Sequence, residues 1–259
     1  DFLEFLSDSK KAKSTLSTRE SILRSFFNWM SEDHYILKNP MFGLQRMRQP
    51  KLLPKNIMTQ GETLKMLEGF SLEKDKPIQY RDRTILELLY SCSLRRSELV
   101  ALNKNDYDPS TRSLRVKAGK TGKGRLVPIG KYASDLIETY LNEIRSEGSC
   151  EALFLTDKKK SRLSPTTITL KVYHLRKSVK IRTKASSHSF RKSSATHMLR
   201  NGASLLTVQA LLGHSAITST QAYTKLHPKD LIKMHGANHP REKHKNINRG
   251  IYLIINIYI

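Results

Sequence analysis

Residues 114–129 read LRVKAGKTGKGRLVPI: two short runs of branched and apolar residues either side of a tip rich in glycine and lysine. Leu114 to Lys117 and Arg125 to Ile129 have the composition of strands, and the glycines of AGKTGKG suit the tip of an antiparallel hairpin. Outward from this hairpin the apolar residues recur with helical spacing. Upstream, Ile85, Leu88 and Leu89 lead a helix to Cys92, and Thr59 with Glu62 forms a capping box for a short helix before it. Further back, Ser17 with Glu20 predicts the start of a helix whose apolar face is Ile22, Leu23, Phe26, Phe27 and Met30, ending before Asn39 and Pro40. Downstream, helices resume at Lys131. Pro165 after Ser164 marks a first helical position, Gly213 stops a helix running from Ser204 to Leu212, and Pro228 opens another turn. The expected fold is mainly α with a small antiparallel β-sheet, without internal repeats.

Composition narrows the partner. Forty-six Lys and Arg stand against 23 Asp and Glu, a formal charge of +23 over 259 residues. Such a chain repels itself unless it meets a polyanion, and nucleic acid is the expected one. The charge is spread along the length and not gathered on one amphipathic helix, which argues against a membrane surface. Cys92 and Cys150 are too few for a disulfide framework and lack the paired spacing of a zinc site, so a reducing cytoplasm fits. The stretch from Gln45 to Lys55, QRMRQPKLLPK, carries four cations, Arg46, Arg48, Lys51 and Lys55, and two prolines without apolar period. It reads as an interdomain linker able to lie along phosphates, and a plain solvated connector would have the same composition. The closing IYLIINIYI is far shorter than the ~20 residues that span a bilayer. It resembles an aggregation-prone strand or a non-native extension.

The second half sets out Arg95, Lys120, His188, Arg191, His214 and Tyr223 in order. Attack on a phosphodiester loads negative charge on the non-bridging oxygens, which guanidinium groups neutralise, while a lysine or histidine protonates the departing oxygen. There is no paired-carboxylate pattern for a two-metal nuclease, and the GKTGKG run lacks the spacing of a nucleotide-binding loop. Singly, each residue has an ordinary reading. Arg95 suits an ion-paired surface, His188 and Arg191 a solvated helical face, His214 a helix cap, Tyr223 a packing role, and Lys120 a simple phosphate contact.

Together the segments around them form a known pattern. SLRRSELVAL about Arg95, GKTGKGRLVPIG with Lys120, HSFRKSSATHML with His188 and Arg191, and LLGHSAITSTQAYT with His214 nine residues before Tyr223 resemble the tyrosine recombinases, the phage integrase and Xer-like family. The resemblance covers roughly Asn39 to Arg241. It implies that Tyr223 attacks the scissile phosphate to give a 3′-phosphotyrosine and a free 5′-hydroxyl. By the same resemblance Arg95 and Arg191 clamp the non-bridging oxygens, Lys120 donates to the leaving oxygen, and His188 and His214 assist proton movement, with no metal or ATP required. It also implies a clamp on double-stranded DNA, a homotetramer, and linker and hairpin contacts from Arg46, Arg48, Lys51, Lys55, Lys123 and Arg125. The expected layout is a truncated helical core-binding domain (1–44), a basic linker (45–57), a catalytic domain (58–242) whose C-terminal segment at Leu231 to Met234 packs on a neighbour, and a disordered or non-native tail (243–259). HPRE at His239 to Glu242 resembles the Xer-like ending. The chain departs from the family pattern at Ser93, where glycine is usual, and at Lys192, where histidine is common. The rival readings are a type IB topoisomerase, which shares the chemistry, and an element-encoded remnant that binds DNA without cutting it.

Overall fold

The structure is a computed structural model that describes residues 13–46, 56–73, 75–117, 124–146, 148, 150–213 and 234–243. The chain divides into two compact units, residues 1–53 and 54–259. In the first, helix α1 runs Lys13–Glu32. Ser17 therefore lies inside the helix and does not cap it, because helical backbone is already established four residues upstream. Glu20, expected to reach back to a cap, is buried and accepts from Arg24 Nε at 2.9 Å. Arg24 also donates to the carbonyls of Met41 (3.0 Å) and Leu44 (2.7 Å), stapling the following loop onto α1. The expected apolar face is covered only in part: Leu23, Phe27 and Met30 are half-buried, Ile22 is 62% and Phe26 47% exposed, whereas Leu16 and Met41 are buried. Phe26, Trp29 and Tyr35 instead stack in series, with centroids 6.0 and 5.3 Å apart.

The second unit is built around α3 (Pro77–Ser91), a helix buried from Tyr80 onward. Helix α2 (Gln60–Glu68) precedes it, opened by the Thr59–Glu62 capping box in the form its sequence predicts. Proline at the first turn of α3 loses no helical hydrogen bond there. The charges that α3 carries inward are all compensated. Arg81 pairs with Asp82 and Asp157, Lys171 reaches Asp82 at 2.5 Å, Arg83 donates to the Leu67 carbonyl and stands 3.4 Å from Glu87, and Arg241 grips Glu87 through two nitrogens. Broken singly, such buried pairs cost roughly 3–5 kcal/mol, since a charge is left without a partner.

After α4 (Arg96–Ala101) and a 3-10 turn (Lys104–Asp106) come β1 (Tyr107–Asp108), β2 (Ser113–Val116) and β3 (Arg125–Pro128), an antiparallel sheet in the order β1-β2-β3. The strands sit within a residue of their expected bounds, and the two-residue β1 is an addition. Leu114 faces Val127, both buried, and the last pair is Val116 with Arg125; the expected tip at 118–123 lies outside the described residues. Helix α5 (Lys131–Thr139) runs on into a π-helical turn (Tyr140–Ile144). Helices α6 (Pro165–Ser178), α7 (Ser187–Arg200) and α8 (Leu205–Leu212) follow, capped by the side chains of Ser164, Ser186 and Ser204. Gly213 closes α8 in the left-handed region at φ +61°, as its place in the sequence predicts. Residues 234–238 and Pro240–Lys243 are helical. The expected helical turn at Pro228, the segment Leu231 to Lys233 and the tail beyond residue 243 lie outside the described residues.

Candidate active site

Three chain turns converge on one pocket. The first is the end of α3, where Ser93 takes φ +51° and fully buried Leu94 carries the chain into Arg95, the residue capping α4. A left-handed conformation costs a non-glycine residue about 1–2 kcal/mol. Here it turns the Ser93 carbonyl toward Arg191, which donates to it through Nη1. The second is the start of α7, which presents exposed His188 and, one turn on, Arg191 at 3% exposure. The third is the close of α8, whose Leu212 carbonyl accepts from Arg191 Nη2. Two backbone carbonyls from elements far apart in sequence thus fix the Arg191 guanidinium.

Glu98 is the hub among the arginines. Its carboxylate accepts from the Arg95 backbone N–H at 2.8 Å and from Arg95 Nη1 at 2.7 Å. Arg125 meets it with both terminal nitrogens at 3.0 Å, and Arg191 Nη1 stands 3.8 Å away. Burial pushes the Glu98 carboxyl up, but the Arg125 hydrogen bonds and the Arg95 amide outweigh it and hold the group at about 2. Arg125 is therefore not free on the hairpin surface as a phosphate contact. Its guanidinium turns inward to Glu98, its Nε donates to the Leu211 carbonyl at 3.3 Å, and its stem lies where a Cβ on Gly213 would come within 2.8 Å of it. Glycine is needed at 213 for that approach as well as for the left-handed turn.

Three guanidinium groups share one carboxylate, so the pocket keeps a net positive charge suited to an anion with several oxygens. Burial lowers Arg191 to about 10, with Arg95 adding to the effect, and it remains a cation at neutral pH. His188 is also lowered, by burial first and then by Lys192, Arg191 and Arg95, which favours a neutral imidazole able to exchange a proton. Arg95, at 42% side-chain exposure, is the arginine with freedom to leave Glu98 for an incoming group. Of the other residues expected at the site or on DNA, Arg46 is exposed in the first unit. Lys120, His214, Tyr223, Arg48, Lys51, Lys55 and Lys123 lie outside the described residues.

Beside the pocket sits a buried cluster that includes His239 and Arg241 of the HPRE stretch, and whose contacts no local pattern announced. Tyr90 Oη donates to His197 Nδ1 at 2.8 Å, and His197 Nε2 donates to the Met58 carbonyl at 3.0 Å. His235 and His239 stack with ring centroids 4.7 Å apart, and His235 Nε2 donates to the Ser91 carbonyl at 2.7 Å. With the Arg241–Glu87 pair, these contacts seat residues 234–243 against α3 and α7 of their own chain. Cationic character extends well beyond the pocket: from Lys158 to Lys229 there are fifteen Lys and Arg and no Asp or Glu. No helix of the described residues is long and apolar enough to cross a membrane, and none of their His, Cys, Asp and Glu form a group able to hold a metal ion.

Comparison with known proteins gives a consistent result. Residues 57–230 match the profile of the Phage integrase family. The chain is 38% identical over 233 residues to tyrosine recombinase XerC of Chromobacterium violaceum, covering 88% of this chain and 75% of that protein. Among solved structures, that of XerA recombinase superposes with a TM-score of 0.57 at 24% identity, covering 93% of this chain and 82% of that one. The XerH site-specific recombinase bound to palindromic difH substrate superposes with a TM-score of 0.67 at 21% identity, over 91% of this chain and 70% of that one.

Proposed function

The chain belongs to the phage integrase family and is a tyrosine-type site-specific DNA recombinase, and from that premise we propose that it cuts and rejoins double-stranded DNA through Tyr223. The phenolic oxygen attacks the scissile phosphorus, the bond to the 5′-oxygen breaks, and the product is a 3′-phosphotyrosine beside a free 5′-hydroxyl. A hydroxyl from a second strand reverses the attack, so no external energy source is consumed. Arg95 and Arg191 neutralise the non-bridging oxygens as charge builds on them. Lys120 protonates the departing 5′-oxygen, and His188 and His214 move the proton of the attacking phenol.

The observation that carries this reading is the meeting of Arg95, Arg191 and neutral His188 in one cationic pocket, with Arg191 braced by two carbonyls and Arg95 held only by an exposed ion pair. A rigid arginine and a movable one suit a site that must receive a phosphate and then release it. Residues 1–44 serve as part of a DNA clamp, 45–57 as a strap whose Arg46, Arg48, Lys51 and Lys55 follow the phosphate backbone, and 58–242 as the catalytic domain, with Lys123 at the hairpin tip as a further backbone contact. Four copies act on two DNA sites, in the cytoplasm at the nucleoid.

The test is a denaturant-resistant adduct assay on a pool of nicked duplexes drawn from the DNA flanking the coding sequence, comparing the parent chain with Tyr223→Phe. The expected result is a 3′-linked protein–DNA adduct that the variant fails to form while still retarding the same DNA. An adduct of undiminished yield from Tyr223→Phe would move the nucleophile elsewhere. Relaxation of supercoiled DNA with no strand exchange between two sites would replace recombination by topoisomerase action.

A further inference from the structure

Arg191 depends on the turn at Ser93, and that turn has a side chain where its backbone favours none. Ser93 sits at φ +51°, fully buried, in a region open to glycine without penalty. The hydroxyl carried there has a partner of its own. Ser93 Oγ donates to Ser194 Oγ at 2.8 Å, and Ser194 is fully buried too. Ser194 lies on α7 three residues after Arg191, on the same helical face. Ser93 therefore holds α7 at two points one turn apart: its carbonyl on the Arg191 guanidinium and its hydroxyl on Ser194.

The second point is itself backed. The Arg241 backbone N–H donates to His239 Nδ1 at 3.3 Å, which leaves Nε2 of the neutral ring carrying the proton. That Nε2 lies 3.4 Å from Ser194 Oγ and 3.3 Å from the Tyr90 carbonyl, a shared donation that gives Ser194 a second partner besides Ser93. Next to it, Ser193 Oγ accepts from the Met58 backbone N–H at 2.8 Å, so α7 is pinned along the whole turn beneath Arg191.

We propose that Ser93 is a positioning residue for the strand-cleavage step, setting the aim of Arg191 through its paired grip on Arg191 and Ser194. This rests on the reading of Arg191 as a ligand of the scissile phosphate. Loss of the hydroxyl leaves the carbonyl contact in place but lets the turn and α7 shift against each other, and a guanidinium displaced by a fraction of an ångström stabilises the transition state less while the DNA is bound as before.

The experiment is single-turnover adduct formation on saturating nicked duplex, with the DNA dissociation constant and melting midpoint measured in parallel, for the parent chain, Ser93→Gly, Ser194→Ala, the double variant and Arg191→Ala. Glycine accepts φ +51° without strain, so Ser93→Gly folds. Each single variant should slow adduct formation roughly five- to tenfold with unchanged DNA affinity, and the double variant should be no slower than Ser194→Ala, which already removes the shared contact together with the one to His239. Parent-like rates in the two single variants, or losses that multiply in the double one, would overturn the proposal. An Arg191→Ala chain that cleaves like the parent would instead remove the reading of Arg191 on which it rests.

Discussion

Replacing Glu98 by glutamine keeps the shape of the hub and removes its charge, leaving Arg95, Arg125 and Arg191 to face one another. A carboxyl held at about 2 against an ordinary 4.5 favours the folded state by about 3 kcal/mol at neutral pH. For a unit spanning residues 54–259, a loss of that size lowers the melting midpoint by about 6–12 °C. The group's folded value lies below its unfolded one, so this stabilisation is complete above pH 4.5 and is lost as pH falls toward 2. The difference between parent and Glu98→Gln should therefore shrink from about 3 kcal/mol at pH 7 to about 2 kcal/mol at pH 3.5. A polyvalent anion can take the place of the missing charge, so sulfate should raise the midpoint of the variant more than that of the parent. The assay is thermal unfolding followed by circular dichroism across pH, with and without sulfate. A variant melting within ~2 °C of the parent at pH 7, or a gap that stays constant into acid, would refute the view of Glu98 as the counter-charge that assembles the arginines.

Gly213→Ala should lower stability by about 1–2 kcal/mol from its left-handed backbone alone, and should slow adduct formation as well, since the new Cβ pushes Arg125 off Glu98; unchanged kinetics would show that the Arg125 position is immaterial. Burial lowers His197, His235 and His239 below their ordinary 6.5, so the unfolded chain binds protons that the folded chain refuses. Stability should be level above pH 6.5 and fall below it, by up to about 1.4 kcal/mol per pH unit for each histidine; a melting midpoint flat between pH 7 and 5.5 would contradict their burial as neutral rings. Arg95→Ala should cost about 3 kcal/mol of transition-state stabilisation, ~100-fold in adduct rate, and single-turnover rates within a factor of a few of the parent would rule out its contact with the phosphate.

The features legible in the sequence are those whose chemistry closes within a few residues. Thr59 with Glu62, Ser164 before Pro165, and Ser204 with Gly213 each satisfy orphan groups of the adjoining helix, and all stand where local rules place them. The hairpin strands could be read because the branched and apolar residues that mark them include those the sheet buries, Leu114, Val116 and Val127. Ser17 misled because Ser-x-x-Glu also occurs inside helices, and only the preceding backbone distinguishes the two. The α1 face misled because apolar periodicity states what a helix can bury and not what lies beside it. Glu98 was within view in SLRRSELVAL, and its i,i+3 spacing to Arg95 hinted at a pairing. Its partnership with Arg125, however, spans 27 residues, and the bond from Arg125 to Leu211 spans 86. His239 stood in view in HPRE, but its packing was not legible for the same reason, since Tyr90 and His239 are 149 residues apart.

Helix α3 also sets a schedule for synthesis. Glu87 enters the interior with its principal counter-charge on Arg241, 154 residues later in the chain. At ribosomal speeds of 5–20 residues per second that interval is about 8–30 s. Throughout it a nascent chain that has already made α3 can pair Glu87 only with Arg83, one turn back at 3.4 Å, and lacks the two-nitrogen grip of Arg241. The central helix can therefore form early but cannot settle into its final packing until the far end of the domain has emerged. Completion of this packing is tied to the arrival of residues 234–243, so the core around α3 closes only after everything between α8 and Arg241 has been made.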